Sequence, residues 1–149
     1  QAGADAAGCR MTHHWEYPAY ADMADSATLV DLYTANAAAT GRTLLDPADV
    51  PGVVGSTDMG SVSHLVPSIH PMIAVSPPNV SIHSPEFTAY AASEAGDRAV
   101  LDGAKAMAMT VADLWLQPGL VAAAEAELAA AHSTWGRGRP SPARRRRAP

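Results

Sequence analysis

From Ser93 onward, apolar residues return every three or four positions. Val100, Ala104, Met107, Val111 and Leu114 form one row, and Leu101, Ala108 and Trp115 form its neighbour. That spacing predicts a long helix with one broad apolar stripe, which must lie on a sheet or on other helices. Asp97, Asp102, Lys105 and Asp113 fall outside both rows and should face water. Pro118, suited to a first helical turn, starts a second, Ala-rich helix to Ala131, after which His132 sits at the end of the dipole that favours a cation. Earlier in the chain, Asp25 or Ser26 can cap a helix through Ala39. Leu29, Leu32, Tyr33 and Asn36 stand there at helical spacing, and Gly41 is placed to close it.

Other stretches predict strands. Gln1 to Cys9 reads as the last turns of a helix, and Arg10 to Tyr17 alternates, with Met11, His13, Trp15 and Tyr17 on one side, until Pro18 stops it. His13 and His14 would then point to opposite faces and could not grip one metal together. Pro67 to Val75 predicts a buried strand, because Ile69, Met72, Ile73 and Val75 leave little polar surface to show. The turn from Ser76 to Asn79 ends it. Thr43 to Pro51, with two prolines, Asp46 and Asp49, is a surface connection. Both helices and strands are therefore expected.

The chain has 149 residues, enough for one ordinary domain. Its single cysteine, Cys9, rules out an intrachain disulfide and a thiolate metal cluster, and is expected to be a small buried apolar residue. No apolar run reaches the length of a membrane helix and no signal peptide is evident, so a cytoplasmic location is expected. The chain opens on Gln1, which suggests a processed product or, preferably, a piece of something longer. The net charge of −5 hides an asymmetry: all 15 acidic residues lie before Leu128, while six of the ten basic ones, Arg137, Arg139 and Arg144 to Arg147, lie after it. An acidic body repels nucleic acid, so only the Arg-rich tail could touch it or anionic lipid, weakly and with strong salt dependence. The Gly, Arg and Pro composition after Trp135 predicts disorder there.

Candidate chemistry gathers between Gly55 and Phe87, where three histidines and a Thr-Asp turn interrupt residues that favour burial. His83 lies between a Pro-rich turn and a Ser-Pro step, so its backbone is constrained and its ring aimed, as a metal ligand or a catalytic base requires. His64 and His70 are weaker candidates, although His70 is stiffened by nearby prolines. Asp58 could cap a turn or orient a ligand, and Ser56 or Thr57 could cap the same turn. One metal ion needs three or more protein ligands, and this segment offers no obvious set. No nucleophile elbow, P-loop or dinucleotide-type glycine phrase occurs, which weighs against serine hydrolase, NTPase and Rossmann chemistry.

Three phrases in order carry a resemblance: Gly55-Ser-Thr-Asp-Met-Gly through His70-Pro71, Ile82-His-Ser-Pro-Glu-Phe, and Ala104-Lys-Ala-Met-Ala-Met-Thr. Together they resemble the C-terminal part of the M20 metallopeptidase family, in the branch of amidohydrolases and dipeptidases related to aminobenzoyl-glutamate hydrolase. The resemblance implies the C-terminal half of a zinc-peptidase-like α/β catalytic domain. Residues 1–18 would close a lid or dimerisation domain, 19–132 would belong to the catalytic domain, and 133–149 would form a disordered tail. It also implies two divalent metal ions, zinc or else manganese or cobalt, with His83 as the metal ligand. Thr57, Asp58, His70 and Glu86 would stand near the ligand or substrate loop, and the complete enzyme would be a homodimer acting on a small dipeptide-like or N-acyl amino acid substrate.

The family's N-terminal ligands and its glutamate base have no counterpart here, so no catalytic residue is assigned and the chain alone is expected to be inactive. The alternative is a non-catalytic remnant that binds a partner through its lid-derived strand or its basic tail.

Overall fold

Ser26 begins the best-capped element of the chain. Its backbone is extended, and its hydroxyl accepts from the amide of Leu29 at 3.4 Å, so one free donor of the first turn is satisfied. The computed structural model describes residues 1–17, 19–45 and 55–138, with side chains as far as Ser133. Its helices are α1 (Ala2–Ala6), α2 (Ala27–Ala39), α3 (Met59–Ser63), α4 (Pro85–Ala91), α5 (Glu94–Leu116) and α6 (Pro118–Gly138).

The described residues are mostly helical and contain no strand. Arg10 to Tyr17, expected as a strand, is irregular, and Trp15 and Tyr17 project into solvent. Its alternation survives locally, since the rings of His13 and Trp15 meet edge to face on one side. Pro67 to Val75 is likewise not a buried strand. It makes one parallel bridge, between Ser68 and Asp25, in which the Ser26 amide donates to the Ser68 carbonyl at 3.0 Å. Ile69 and Ile73 are half-buried and Met72 is exposed. A strand becomes a strand by pairing, and the described residues supply this segment with only that one ladder bond.

Helix ends follow the chemistry of their residues. Gly8 (φ 65°) and Gly41 (φ 84°) adopt the left-handed conformation that closes α1 and α2. In each case the next amide, of Cys9 or Arg42, reaches back to the carbonyl five residues earlier, Ala4 or Ala37. Cys9 itself is exposed, against the expectation that it is buried. Ser93 caps α5 and Pro118 opens α6, both as the sequence predicts. The latter runs past Ala131 to Gly138, so His132 lies within the helix and the first residues of the expected disordered tail are helical.

The long helix α5 packs against α2 through an unexpected face. Gly96, Ala99, Ala106 and Thr110 are its buried residues. The predicted apolar rows lie largely outside: Val100, Leu101, Met107, Val111 and Trp115 are all exposed. The small face wins because Tyr33 and Ala37 of α2 seat directly on Ala106, with Leu44 and Ile69 packed around them. Two residues expected to be wet are drawn in with it. Asp102 pairs with Arg42 at 2.8 Å, and the same guanidinium donates to the Ala74 carbonyl at 3.0 Å. Asp113 accepts from the Asn36 amide at 2.9 Å, beside the Thr110 hydroxyl. Asp97 and Lys105 stay exposed, as expected.

Glu127 of α6 ties the start of α2 to the far end of the chain. Its carboxylate accepts from the Ser26 hydroxyl at 2.7 Å, the Thr28 hydroxyl at 2.6 Å and the Thr28 amide at 3.1 Å. These donors, chiefly the Thr28 side chain and then that of Ser26, hold its pKa below the ordinary glutamate value, while partial burial opposes them. A carboxylate with a lowered folded pKa stabilises fully above its unfolded value and loses that contribution as pH falls through the folded one. Glu127→Gln should therefore cost about 1 kcal/mol at neutral pH. It should also flatten the acid limb of a denaturation series between pH 6 and 3, a window set on the order of the ordinary carboxylate range. An unchanged acid limb would show that this carboxylate does not hold the helix.

Candidate functional site

The Gly55 to Gly60 phrase forms the entry to α3. Thr57, half-buried, accepts from the Met59 amide at 3.3 Å through its hydroxyl, and so performs the turn-capping left open among Ser56, Thr57 and Asp58. Asp58 is exposed and has a helical backbone; its carboxylate caps nothing and lies 3.5 Å from the Thr57 hydroxyl. Gly60 is buried where α3 crosses the 19–25 segment: a Cβ there would run into the carbonyl of Ala21. Ser63, fully buried, receives the Ala24 amide at 2.9 Å. The glycine in this phrase thus has a packing role of its own.

His64 follows α3 and is half-buried. Its Nε2 lies 2.8 Å from the Asp22 carbonyl oxygen and 3.5 Å from the Asp22 carboxylate, so that nitrogen carries the proton. The His64 carbonyl in turn accepts from Nε2 of His132 at 2.9 Å. Both rings bind the irregular 19–25 segment and α6 around the turn, a structural use of histidine. His70 is exposed beside Pro71, at the rim of a shallow cavity of about 120 Å³ shared with Asp25, Val30, Tyr33, Leu44 and Ile69.

His83 occupies the turn before α4 with an exposed side chain. The residues after it build a helix start. The Ser84 hydroxyl accepts from the Phe87 amide at 3.3 Å and donates to the Ser81 carbonyl at 2.8 Å, and Pro85 takes the first helical position. Glu86, exposed in the first turn, adds a negative charge where the dipole favours one. This accounts for Ser84, Pro85 and Glu86 locally, and the His83 side chain stands exposed beside them.

Among the described residues, no hydrogen bond or ion pair joins the Thr57–Asp58 turn, His70 and the His83–Glu86 turn. No three His, Cys, Asp or Glu side chains among them converge as a metal ion would need. An open concavity of about 460 Å³ lies between the end of α2 and α5, lined by Ala39, Thr40, Asp102, Lys105, Ala108 and Met109. None of the candidate residues reaches it. Sequence reasoning missed Glu127, whose partners lie about a hundred residues away and carry no local signal.

No family model matches the chain, and no solved structure matches it. Two curated relatives do. The chain is 34% identical over 122 residues to the Xaa-Arg dipeptidase of Mus musculus, and 31% identical over 122 residues to the Xaa-Arg dipeptidase of Homo sapiens. In both cases the match covers 81% of this chain and 28% of the relative, so the chain spans little more than a quarter of the length of the proteins it matches. A match of that extent must run through Gly55 to Thr110 wherever it starts, and so through all three phrases singled out above. The chain is homologous, over most of its own length, to a segment of two peptidases.

Proposed function

We propose that this chain is the C-terminal segment of an M20-type, metal-dependent amidohydrolase or dipeptidase, which cleaves an amide bond in a small dipeptide-like or N-acyl amino acid substrate. The observation that carries the reading is the match to two Xaa-Arg dipeptidases across the phrases containing Thr57, Asp58, His70, His83 and Glu86. The exposed ring of His83, on a turn stiffened by Ser84 and Pro85, supports its role as a metal ligand in the complete protein.

The described residues do not by themselves fit such an ion. A closed zinc site takes about four donors, and no group of three comes together here. On this proposal the remaining donors and the general base come from polypeptide beyond the described residues, and no catalytic step is assigned to this chain. The α/β character of the complete domain, its zinc, its pairing into a homodimer and its cytoplasmic location belong to the same proposal.

The test is a chimera in which this chain's matching segment replaces that of the mouse Xaa-Arg dipeptidase. Its hydrolysis of an Xaa-Arg dipeptide should fall to background with His83→Ala, while its melting temperature holds within about 2 °C, because an exposed side chain contributes little to stability. Full turnover in that variant would remove His83 from the metal centre. The isolated chain should bind Zn²⁺ weakly or not at all by calorimetry; a submicromolar site would contradict the proposal.

A further inference from the structure

We infer that the outer face of α5 is a docking surface for an uncharged apolar face in the part of an Xaa-Arg-dipeptidase-like polypeptide that this chain does not contain. The inference rests on the functional reading above and names the partner of one surface. Val100 is 71% exposed, Leu101 58%, Met107 56%, Val111 48% and Trp115 83%. Ala104 and Ala108 fill the gaps between them, so from Val100 to Trp115 the middle of this side of the helix carries no charge, and exposed Lys105 marks its edge.

The opposite side of α5 is already buried, with Ala106 and Thr110 against α2. A helix that is apolar on both sides is covered on both sides in its working state. The exposed apolar residues run for about four turns of the helix, and contiguous apolar patches of this kind mark interaction surfaces. The uncharged middle resembles a core cut in two rather than the rim of a transient contact.

Two observations choose the occupant. The matched stretch is 28% of each relative, so most of such a polypeptide remains to supply a covering face. The irregular segment around Ile69 to Ile73, whose described ladder bonding is limited to the Ser68 bridge, is the second mark of a structure awaiting a neighbour. Charge disfavours an anionic membrane, because the polar positions of α5 include Glu94, Asp97, Asp102 and Asp113 against only Arg98 and Lys105.

The test introduces Met107→Lys together with Val111→Lys into the isolated chain and into the mouse chimera. In the isolated chain the pair should lower binding of a hydrophobic dye severalfold and leave the melting temperature within about 3 °C. In the chimera the same pair should lower it by more than about 10 °C, because two ammonium groups are then forced into a core. A chimera that melts unchanged, or that fails to fold although the isolated chain folds, overturns the inference.

So does a stable dimer of the isolated chain that the pair splits in sedimentation, which would make a second copy the occupant. Flotation with phosphatidylserine vesicles that the pair abolishes would overturn it in favour of a membrane. A folded chimera whose melting responds to the pair but which hydrolyses nothing leaves the interface standing and removes the functional reading. One that hydrolyses and does not respond does the reverse.

Discussion

Gly60→Ala should destabilise the chain by about 3 kcal/mol, a large part of the total stability of a domain this size. The sign of the change is informative. Gly60 lies inside α3, where helix propensity alone favours alanine over glycine by about 1 kcal/mol. The added methyl, however, points into the Ala21 carbonyl and within 3.3 Å of the Asp22 carbonyl carbon. Those atoms are backbone and cannot rotate away, so the 19–25 segment must lift off α3. Lifting it would stretch the Ser63–Ala24 and His64–Asp22 hydrogen bonds as well. Gly55→Ala is the control, since nothing lies within 4 Å of a Cβ there. Urea denaturation should separate the two variants clearly; equal midpoints would mean that the segment is not seated on α3. Gly96→Ala should behave like Gly60→Ala, because its Cβ would meet the Ala91 and Tyr90 carbonyls where α4 turns into α5.

Tyr33→Ala should cost about 3 kcal/mol, in the range for removing a buried aromatic ring. Tyr33 is 5% exposed, and the other fully buried apolar residues among those described are all alanines: Ala37, Ala99, Ala106 and Ala124. One ring therefore supplies most of the large-side-chain volume at the α2–α5 contact. Its loss would deepen the shallow cavity next to Leu44 and Ile69 rather than let the helices close, since they already meet through Ala37 and Ala106. Tyr33→Phe keeps the ring and should change stability by less than about 0.5 kcal/mol. Thermal melts of the two variants check the difference, and a mild Tyr33→Ala would place the core elsewhere.

The legible and illegible parts of this chain divide by the range of the interactions involved. Ser26, Gly41, Ser93 and Pro118 announce helix ends through bonds made within a turn, and each end lies where those residues put it. The face by which α5 packs was misread, because a periodicity of large apolar residues looked stronger than one of Gly96, Ala99, Ala106 and Thr110. Close helix packing selects small residues, and hydrophobicity counts overlook them. Strands at Arg10 and Pro67 depend on partners, and a single chain segment does not state whether its partner is present. At the candidate site, the phrase around His83 was legible as a rigid turn, while its purpose is a matter of groups that a local reading never contains.

The carboxylate that caps α2 belongs to a residue 101 positions after Ser26. During synthesis on a ribosome, at ~5–20 residues per second, α2 would wait on the order of 5–20 s for that oxygen to exist. The first helix of the packed body is thus finished by nearly the last, and nascent chains halted before Glu127 should hold Ala27–Ala39 in a looser, more protease-sensitive form than the released protein does.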